Sequence, residues 1–411
     1  MKKPVLKKFI FLPALAFSLC IICSAQDDLN AIPTSVPLIN VTSNARIGAM
    51  GEIATVSSSV YNDAGLIQNP ALLSKNARII GGNTSFMPWL RGLWSEPRSF
   101  RTLFSSAYLT ESNMYGAINQ KNAIGYRFAL SHFGQVIIRD QYGMYLGEYN
   151  PIEYCHQITY SHTFKDKLSA GAGIKYIHSD LNLSSVSGSF PYQPANAAAV
   201  DLGIHYNTSF TLSEIMLLHI NTGATLNNFG TKISYTDNPS SEKGFLPTCL
   251  RIAIMVNPEW RLSESVTLHA EIAYQIEKLL VPTPPILYYD DGDTIIKGRG
   301  MDVSVFTALY SSFYDAPGGF SEEMHEIMHK TGTEFRLDAG EKFYAALRAG
   351  RLMEHRTKGN RTYTTMGMGL GYAGFSLDSK YIAGPENTSL NKTWAITFGY
   401  CLNLDNHKED Q

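Results

Sequence analysis

Residues 393–404 alternate, one by one, between two kinds of side chain, and this alternation constrains the fold more than any other feature of the chain. Successive side chains of a β-strand point to opposite faces, so the stretch predicts a strand with one apolar, aromatic face and one small or polar face. Its length suits a tilted transmembrane strand, which needs about 9–11 residues. The apolar face carries Trp394, Ile396, Phe398, Tyr400, Leu402 and Leu404, and the other carries Thr393, Ala395, Thr397, Gly399, Cys401 and Asn403.

The same alternation recurs upstream, for example in residues 154–164, 168–176 and 200–207. A soluble sheet also has one polar face, so a single strand proves little, whereas many such segments are typical of an outer-membrane barrel. Short and long connections alternate between the segments, as expected of periplasmic turns and extracellular loops. The predicted short turns are residues 119–122, 165–167, 208–214, 257–264, 338–342 and 373–374, and the predicted long loops are 87–103, 134–152, 180–197, 227–248, 278–322, 353–361 and 383–392.

If the strand at 393–404 runs down towards the periplasm, the pattern contains about fourteen strands within residues 77–404. This number is even, as single-chain bacterial barrels require. A closed barrel also pairs every backbone hydrogen bond between strands and leaves no free edge in lipid. The predicted fold class is therefore all-β, a transmembrane antiparallel β-barrel of about 14 strands.

The first residues of the chain predict export from the cytoplasm. Four lysines precede an apolar run at residues 9–22, and small residues follow up to Ala25, so residues 1–25 have the pattern of a signal peptide. Further on, no apolar run approaches the roughly 20 residues that a membrane helix needs. We therefore expect an integral, multi-pass barrel of the outer membrane. The formal net charge of −2 gives no indication of a nucleic-acid partner.

Residues 26–76 precede the first predicted strand and contain Pro33, Pro37, Pro70 and only short apolar pieces. Fourteen strands enclose more room than eight, so something must fill or use the lumen. We interpret residues 26–76 as a luminal plug, and a periplasmic arm is the alternative. Residues 405–411 are hydrophilic and are expected to form a periplasmic tail.

Several short motifs resemble, in the same order along the chain, those of the PorV family. Two of them, residues 278–285 and 315–320, are specific, because no periodicity argument would generate either of them. The others are residues 30–37, 45–51, 69–71, 88–90, 228–230 and 357–361. PorV proteins (also called LptO) are FadL-like outer-membrane barrels of the type IX secretion system, so the resemblance implies a fourteen-stranded barrel with an N-terminal luminal segment.

The resemblance also implies a role in protein transport and no bond chemistry. PorV-like proteins accept cargo with a C-terminal secretion domain from the large translocon barrel (SprA or Sov). They carry this cargo to the PorU sortase-type attachment complex at the cell surface. The implied partners are therefore the SprA/Sov-type translocon barrel, C-terminal-domain cargo, the PorU-type complex and outer-membrane lipid or lipopolysaccharide.

One motif suggests an enzyme instead. His325 to His329 reads H-E-x-x-H, which on a helix would place two zinc ligands on one face with Glu326 as the base, and Glu354 as a conceivable third ligand. However, the motif runs into residues 333–337, which must be strand to keep the alternation of turns and loops. On a strand the two histidines would lie about 13 Å apart, at roughly 3.3 Å per residue. We therefore predict neither a catalytic residue nor a metal site.

Residues 369–374 match the dinucleotide-binding fingerprint by their letters alone. That fingerprint needs a helix directly afterwards, whose N-terminus holds the pyrophosphate. The following residues, 375–382, have the pattern of another strand. We therefore expect no cofactor.

The loops are the predicted sites of partner and cargo binding. Aromatic residues commonly anchor interfaces, and loops longer than about 15 residues are usually functional or disordered. The predicted contact residues are Trp89, Leu90, Leu93 and Trp94 in the first loop and Pro282, Pro284, Phe313, Pro317 and Phe320 in the longest loop. The alternatives are an aromatic girdle at the membrane boundary for the first loop and a structural cover over the barrel mouth for the longest.

Two functions from different classes remain open at this stage. The first is the type IX secretion carrier that the resemblance implies. The second is a FadL-like transporter that moves hydrophobic small molecules through the lumen. The fold cannot separate them, because one fold hosts many functions.

Overall fold

The computed structural model describes residues 29–57, 63–75, 79–89, 107–119, 121–139, 142–165, 167–181, 192–237, 243–288, 294–340, 342–385 and 390–403. These residues form a closed barrel of antiparallel strands, as the sequence predicts. The predicted signal peptide at residues 1–25 and the predicted tail at 405–411 lie outside the described residues. None of the helices in the described ranges has the length and apolar character needed to cross a membrane.

Fourteen strands build the barrel, and two short hairpins stand in its loops. The barrel closes where the last strand pairs with the first, with Phe398 opposite Thr84. In chain order the strands are β1 (Ile79–Pro88), β2 (Tyr108–Asn119), β3 (Asn122–His132), β4 (Val136–Arg139), β5 (Tyr145–Tyr149), β6 (Ile152–Phe164), β7 (Leu168–Asp180), β8 (Ala195–Ser213), β9 (Met216–Gly230), β10 (Cys249–Ser263), β11 (Val266–Leu279), β12 (Ile286–Leu287), β13 (Ile295–Lys297), β14 (Met328–Ala339), β15 (Phe343–Met353), β16 (Thr362–Tyr372), β17 (Phe375–Ala383) and β18 (Trp394–Asn403). The hairpins are β4–β5 and β12–β13.

The alternation in the sequence correctly separates the two faces of the wall. On β18, Phe398 is 64% exposed on the outer face, whereas Thr397 is buried on the luminal face. On β8, Leu202 and Ile204 are exposed outside, and Asp201 is buried inside. An apolar outer surface and a polar interior are the arrangement that lipid on one side and a lumen on the other require.

Two predicted turns are wrong. Residues 208–214 and 257–264 belong almost entirely to strands, because β8 continues to Ser213 and β10 to Ser263. The connections to β9 and β11 are therefore only two residues long. Polar residues of the second predicted turn, Asn257 and Glu259, instead line a polar cavity in the lumen.

The described residues between 29 and 75, named the plug here, run through the barrel before β1 begins. At the end of the barrel with the long loops, the amide of Asn30 donates to the carbonyl of Thr357 (2.8 Å). Near the opposite end, the hydroxyl of Ser74 lies 2.7 Å from that of Ser161 on β6. The predicted luminal plug is thus confirmed, and its chain descends from the extracellular mouth to the periplasmic start of β1.

Two short helices, α1 (Ala45–Ala49) and α2 (Ala64–Ile67), and two 3-10 turns, Pro37–Asn40 and Pro70–Ser74, shape the plug. Asn44 caps α1 by accepting a hydrogen bond from the amide of Ile47 (3.0 Å). Such a cap satisfies one of the amides that a helix start leaves without an intrahelical partner. The helices are short because the barrel wall, and not helix length, supplies most of their contacts.

A glycine in the wall lets the plug approach closely. A β-carbon at Gly350 on β15 would lie 2.1 Å from the amide nitrogen of Gly51, which is far inside contact distance. Gly51 itself has φ +68°, a conformation that side chains other than glycine rarely adopt. The sequence of wall and plug is therefore matched at this point.

Candidate functional site

Buried ion pairs fix the plug to the barrel wall. The guanidinium of Arg46 on α1 lies 3.3 Å from the carboxylates of both Glu271 on β11 and Glu334 on β14. Arg348 on β15 also pairs with Glu334, and its second contact is Asp378 on β17 (2.6 Å). Because all five side chains are buried, each charge depends on its partners for the hydrogen bonds that water would otherwise give.

The carboxylate of Glu111 on β2 is a second attachment point. It pairs with Arg127 on β3. Its other oxygen accepts hydrogen bonds from the hydroxyl of Thr42 (2.7 Å) and from the amides of Ser43 (2.6 Å) and Asn44 (3.0 Å). Glu111 thus holds the plug at the position where α1 begins, through two backbone amides and a threonine hydroxyl.

Further buried pairs line the rest of the lumen. Lys175 lies 2.7 Å from Asp201, and Glu277 accepts hydrogen bonds from both Arg251 and Lys330 at 2.8 Å. At the level of the plug the interior is consequently filled and charged. These pairs join neighbouring strands of the wall, so the wall supplies its own partners for the charges that face the lumen.

A polar cavity of about 270 Å³ lies beside the plug, lined by residues of β8 to β11 and β14. Its titratable groups form internal pairs: His219 with Glu259 (3.4 Å), and His269 with Asp338 (3.1 Å). Lys75, at the end of the plug, donates to Asn221 (3.1 Å). Within the described ranges, no group of three or more His, Cys, Asp or Glu residues is arranged to hold a metal ion.

At the extracellular mouth, four of the motifs that resemble the PorV family meet in space. Lys278 on β11 contacts Glu323 (3.0 Å) and Glu326 (2.5 Å), which lie near the end of the long loop of residues 280–327. Lys358, in the loop between β15 and β16, also contacts Glu326 (3.1 Å). Asn30 completes the cluster by donating to Glu322 (3.0 Å). We call Lys278, Glu322, Glu323, Glu326 and Lys358 the mouth cluster.

The sequence of the Asp-Ala-Pro-Gly-Gly-Phe motif explains how the long loop places its carboxylates. Gly319 has φ +67°, which turns the chain into α4 (Phe320–His325), the second of the two helices in this loop. The amide of Gly318 then donates to Glu322 (2.6 Å), and that of Ala316 donates to Glu323 (2.8 Å). The motif therefore orients two of the three carboxylates in the mouth cluster.

Asp315 lies next to this cluster and is buried. Burial, and after it the neighbouring Glu323 carboxylate, raises the pKa of Asp315 to about 6. Glu322 behaves oppositely: burial raises its pKa, but hydrogen bonds from Lys358 and Gly318 outweigh this and hold the pKa below its usual value. The long loop thus contains one carboxyl that titrates near neutral pH and one that stays ionised.

The outer side of the long loop exposes large apolar side chains. The first helix of this loop, α3 (Val305–Ser311), begins where the hydroxyl of Ser304 accepts a hydrogen bond from the amide of Thr307. Its ring contact with the barrel is edge-to-face, between Phe306 and Phe229 (5.2 Å between centroids). The exposed residues on or beside the two helices are Phe306, Tyr310, Phe313, Tyr314, Phe320 and Met324, which we call the aromatic surface.

The predicted contact residues have different environments. Phe320 is 79% exposed and Phe313 about half exposed, and both belong to the aromatic surface. Pro284 and Pro317 are half-buried, and Pro282 is buried. Trp89 is also buried: its ring packs edge-on against Phe133, and its Nε1 donates to the carbonyl of His132. Leu90, Leu93 and Trp94 lie outside the described residues.

The predicted contact residues did not include Phe306 and Tyr310. Their signal was present, because aromatic residues cluster in residues 305–314, a stretch that also has a helix cap. These residues share an exposed region only because the stretch forms a helix, which the prediction of an irregular loop did not include.

The H-E-x-x-H motif does not lie on a strand throughout, so that part of the sequence argument is wrong. His325 ends α4, and β14 begins at Met328, because Glu326 caps the helix. The ring of His325 stacks on His355 (3.7 Å between centroids), whereas His329 bonds to the hydroxyl of Tyr274 (2.6 Å). Glu326 is engaged by Lys278 and Lys358. Each of the three side chains therefore contacts a different set of residues, and the two histidines do not share a ligand position.

Several solved structures are similar to this chain at low sequence identity. Solved structures similar to this chain include a Pseudomonas aeruginosa FadL homologue (10% identity, 92% of this chain and 100% of that chain covered, TM-score 0.38). They also include the Ralstonia pickettii toluene transporter TbuX (10% identity, 88% and 98% covered, TM-score 0.39). A third is CdiB from Acinetobacter baumannii (10% identity, 79% and 60% covered, TM-score 0.39). A search of curated proteins gives no match.

The family comparison is the decisive one. Residues 24–286 match the model of the type IX secretion system protein PorV, which is more than half of the chain. The match includes the plug and the motif at residues 278–285, and it ends before those at 315–320 and 357–361. The closed fourteen-stranded wall with its apolar outer face is an integral barrel of the outer membrane. The chain therefore belongs to the PorV family and is an outer-membrane component of the type IX secretion system.

Proposed function

We propose that this protein is a cargo carrier: it receives C-terminal-domain cargo at the SprA/Sov-type translocon barrel and delivers it to the PorU-type attachment complex. The aromatic surface of the long loop makes the contact with these partners. Catalysis has no part in this role. The single observation that carries the proposal is that a rigid part of the extracellular mouth exposes several large aromatic side chains.

Such an exposed surface needs a partner to explain it. Contiguous apolar patches on proteins usually mark interaction sites, and aromatic residues dominate binding energies at interfaces. Tyr310 is 71% exposed and Phe320 is 79% exposed, although both lie on helices.

The mouth cluster gives this surface its rigidity. Lys278 belongs to a barrel strand and Lys358 to another loop, so their contacts with Glu326 tie the end of the long loop to two other parts of the barrel. A surface fixed before binding loses less conformational entropy when a partner arrives. The resemblance motifs in this region are therefore accounted for by their role in holding the aromatic surface in place.

Transport of hydrophobic small molecules is less well supported. The lumen at the level of α1 contains Arg46, Glu271, Glu334 and Arg348 in mutual contact, and all are buried. Moving the plug aside would separate Arg46 from both carboxylates and leave Glu334 with Arg348 only, which is costly at a buried site. No group in this network offers an apolar path.

Affinity purification of the whole protein from its native outer membrane tests the proposal. We expect the translocon barrel and C-terminal-domain cargo to co-purify with it. The double variant Tyr310→Ser, Phe320→Ser should lose most of both partners, whereas Tyr145→Ser, at an exposed tyrosine of the β4–β5 hairpin, should retain them. Heat-modifiable migration on gels verifies that each barrel is assembled.

Two results would contradict the proposal. One is equal recovery of partners by the wild type and the double variant. The other is uptake of an alkyl or aromatic compound by the reconstituted protein, together with a native purification that yields neither translocon nor cargo. That second pattern would establish the transporter function instead.

A further inference from the structure

A cavity of about 250 Å³ opens at the extracellular mouth, between the plug and two loops. The plug contributes Pro33, Thr34 and Ser35. The loop between β9 and β10 contributes Lys232, Lys243, Gly244 and Phe245, and the long loop contributes Met301 and Asp302. The titratable groups that line it are thus two lysines and one aspartate.

Two contacts fix the position of the Lys232 side chain in this cavity. Its ammonium lies 4.3 Å above the centre of the Phe245 ring and 3.3 Å from a carboxylate oxygen of Asp302. The side chain of Lys232 is only 16% exposed, so its position is fixed by its surroundings. A cation that is already oriented loses little conformational freedom when it binds an anion.

Asp302 shows which chemistry fits the ammonium. The contact is a carboxylate–ammonium pair, yet the Asp302 side chain is 92% exposed. Pairs with such an exposed partner contribute little to stability, because water screens them and the side chain loses freedom on pairing. An incoming carboxylate can therefore replace Asp302 at little cost, and Lys243 at the same cavity adds a second positive charge.

Close packing of the plug against the loop gives the cavity its shape. The amide of Ser35 donates to the carbonyl of Phe245 (2.8 Å). A β-carbon on Gly244 would lie 2.0 Å from the hydroxyl oxygen of Ser35, so a larger residue there would force the Ser35 side chain to move. The plug therefore forms one wall of the cavity.

We propose that this cavity is a recognition site for a carboxylate on an acidic segment of the cargo polypeptide, bound by Lys232 and Lys243. The proposal rests on the function proposed above, since it assigns one chemical contact to the same partner. The cavity adjoins the loop that carries the aromatic surface, so one polypeptide can engage both. Charge complementarity supplies selectivity and aromatic burial supplies most of the affinity.

The test uses the purified full-length protein in detergent and a fluorescent probe peptide with two adjacent aspartates, alongside a twin in which both are asparagine. We expect the aspartate peptide to bind at least tenfold more tightly than its twin, and added salt to reduce the difference. The double variant Lys232→Gln, Lys243→Gln should remove the preference. Lys297→Gln, at an exposed lysine on β13 outside the cavity, should preserve it.

Asp302→Asn provides a test with the opposite sign. Removing the resident carboxylate should tighten binding of the aspartate peptide severalfold, which loss of a merely structural contact would not do. If the two peptides bind equally to the wild type, or if the lysine variants retain the preference, the proposal is wrong.

Two further arms separate the possible explanations. A phosphorylated glucosamine headgroup that displaces the peptide more effectively than free aspartate peptide does would assign the cavity to lipid and overturn the proposal. The purification of translocon and cargo is run in parallel on the wild type. If partners are recovered but the peptides do not discriminate, this inference alone fails, whereas loss of all partners refutes the proposed function.

Discussion

Arg46 in the plug and Glu334 on β14, 288 residues apart in the chain, lie 3.3 Å from each other in the centre of the barrel. Both side chains are buried, and Glu271 and Arg348 complete the group. This contact makes the plug a part of the folded barrel and not an attachment to it. It also places a network of buried, paired charges in the lumen at that level.

Removal of Arg46 should loosen the plug. Arg46→Leu leaves the buried Glu271 without this cation and Glu334 with Arg348 only, and breaking a buried ion pair costs about 3–5 kcal/mol. We expect faster hydrogen exchange in residues 44–57 and a higher ion conductance in planar bilayers. Arg261→Leu, at an exposed arginine near the end of β10, should change neither. Unaltered exchange in Arg46→Leu would show that the network does not hold the plug.

Gly350→Ala should displace the plug while the barrel still assembles. The added β-carbon would lie 2.1 Å from the amide nitrogen of Gly51, and overpacking of this kind typically costs about 1–3 kcal/mol. Hydrogen exchange at Gly48 and Gly51 is the measurement. Gly173→Ala is the matched control, because the nearest atoms to its β-carbon belong to Gln157, Thr159 and Ile158 in the wall. Equal exchange in the two variants would contradict the expectation.

Glu326→Leu should release the long loop. Glu326 is the carboxylate that Lys278 and Lys358 share, and its loss leaves both lysines with fewer partners at a buried site, at a cost of about 3–5 kcal/mol. Limited proteolysis of the intact protein should then cut within residues 280–327 several times faster than in the wild type. Glu264→Ala, in the turn between β10 and β11, should retain wild-type resistance. Resistance of both variants would mean that the cluster contributes little.

The long loop should be more stable at pH 5 than at pH 7.5. The pKa of Asp315 is raised from its usual 3.8 to about 6, so the fold favours the protonated carboxyl. Stability is then fully present below the unfolded value and is lost as pH rises through about 6. The pKa of Glu322 is lowered, so its contribution changes only below its ordinary value of 4.5, outside this interval.

Hydrogen exchange of residues 310–327, corrected for the intrinsic pH dependence, measures this effect. Asp315→Asn cannot ionise, so it should remove the difference between the two pH values and slow exchange at pH 7.5. Persistence of the pH difference in Asp315→Asn would assign it to another group. Glu322→Gln is a suitable companion variant, and we expect it to leave the pH difference in place.

The local pattern of the sequence was sufficient to predict the barrel, because the alternation of apolar and polar side chains within each strand indicates which face contacts lipid. Phe398 belongs to the apolar series of its strand and lies outside, whereas Thr397 belongs to the polar series and lies inside. Boundaries were less well predicted where polar residues such as Asn257 and Glu259 line the lumen, since polar side chains occur both in turns and inside a wide barrel. The family resemblance, carried by short motifs, was confirmed by the match over residues 24–286.

The candidate site was predicted only in part. Phe313 and Phe320 are exposed as an interface requires, whereas Trp89 is buried against Phe133. All three residues are aromatic and were predicted to lie in loops, so residue type alone could not separate the exposed side chains from the buried one. The role of Glu326 also depends on residues far away in the sequence. The sequence alone does not show whether this glutamate belongs to a catalytic motif or to an ion pair, whereas the structure pairs it with Lys278 and Lys358.

By itself, the sequence determined the strands, their two faces and the order of turns and loops, because side-chain alternation is a property of a single extended chain. Only the tertiary structure decided which charges meet. Arg46 finds Glu334, and Asn30 finds Glu322 across 292 residues, because closure of the barrel brings every strand to a common lumen and every long loop to a common mouth. Such pairings depend on distances in space, which no local pattern along the chain encodes.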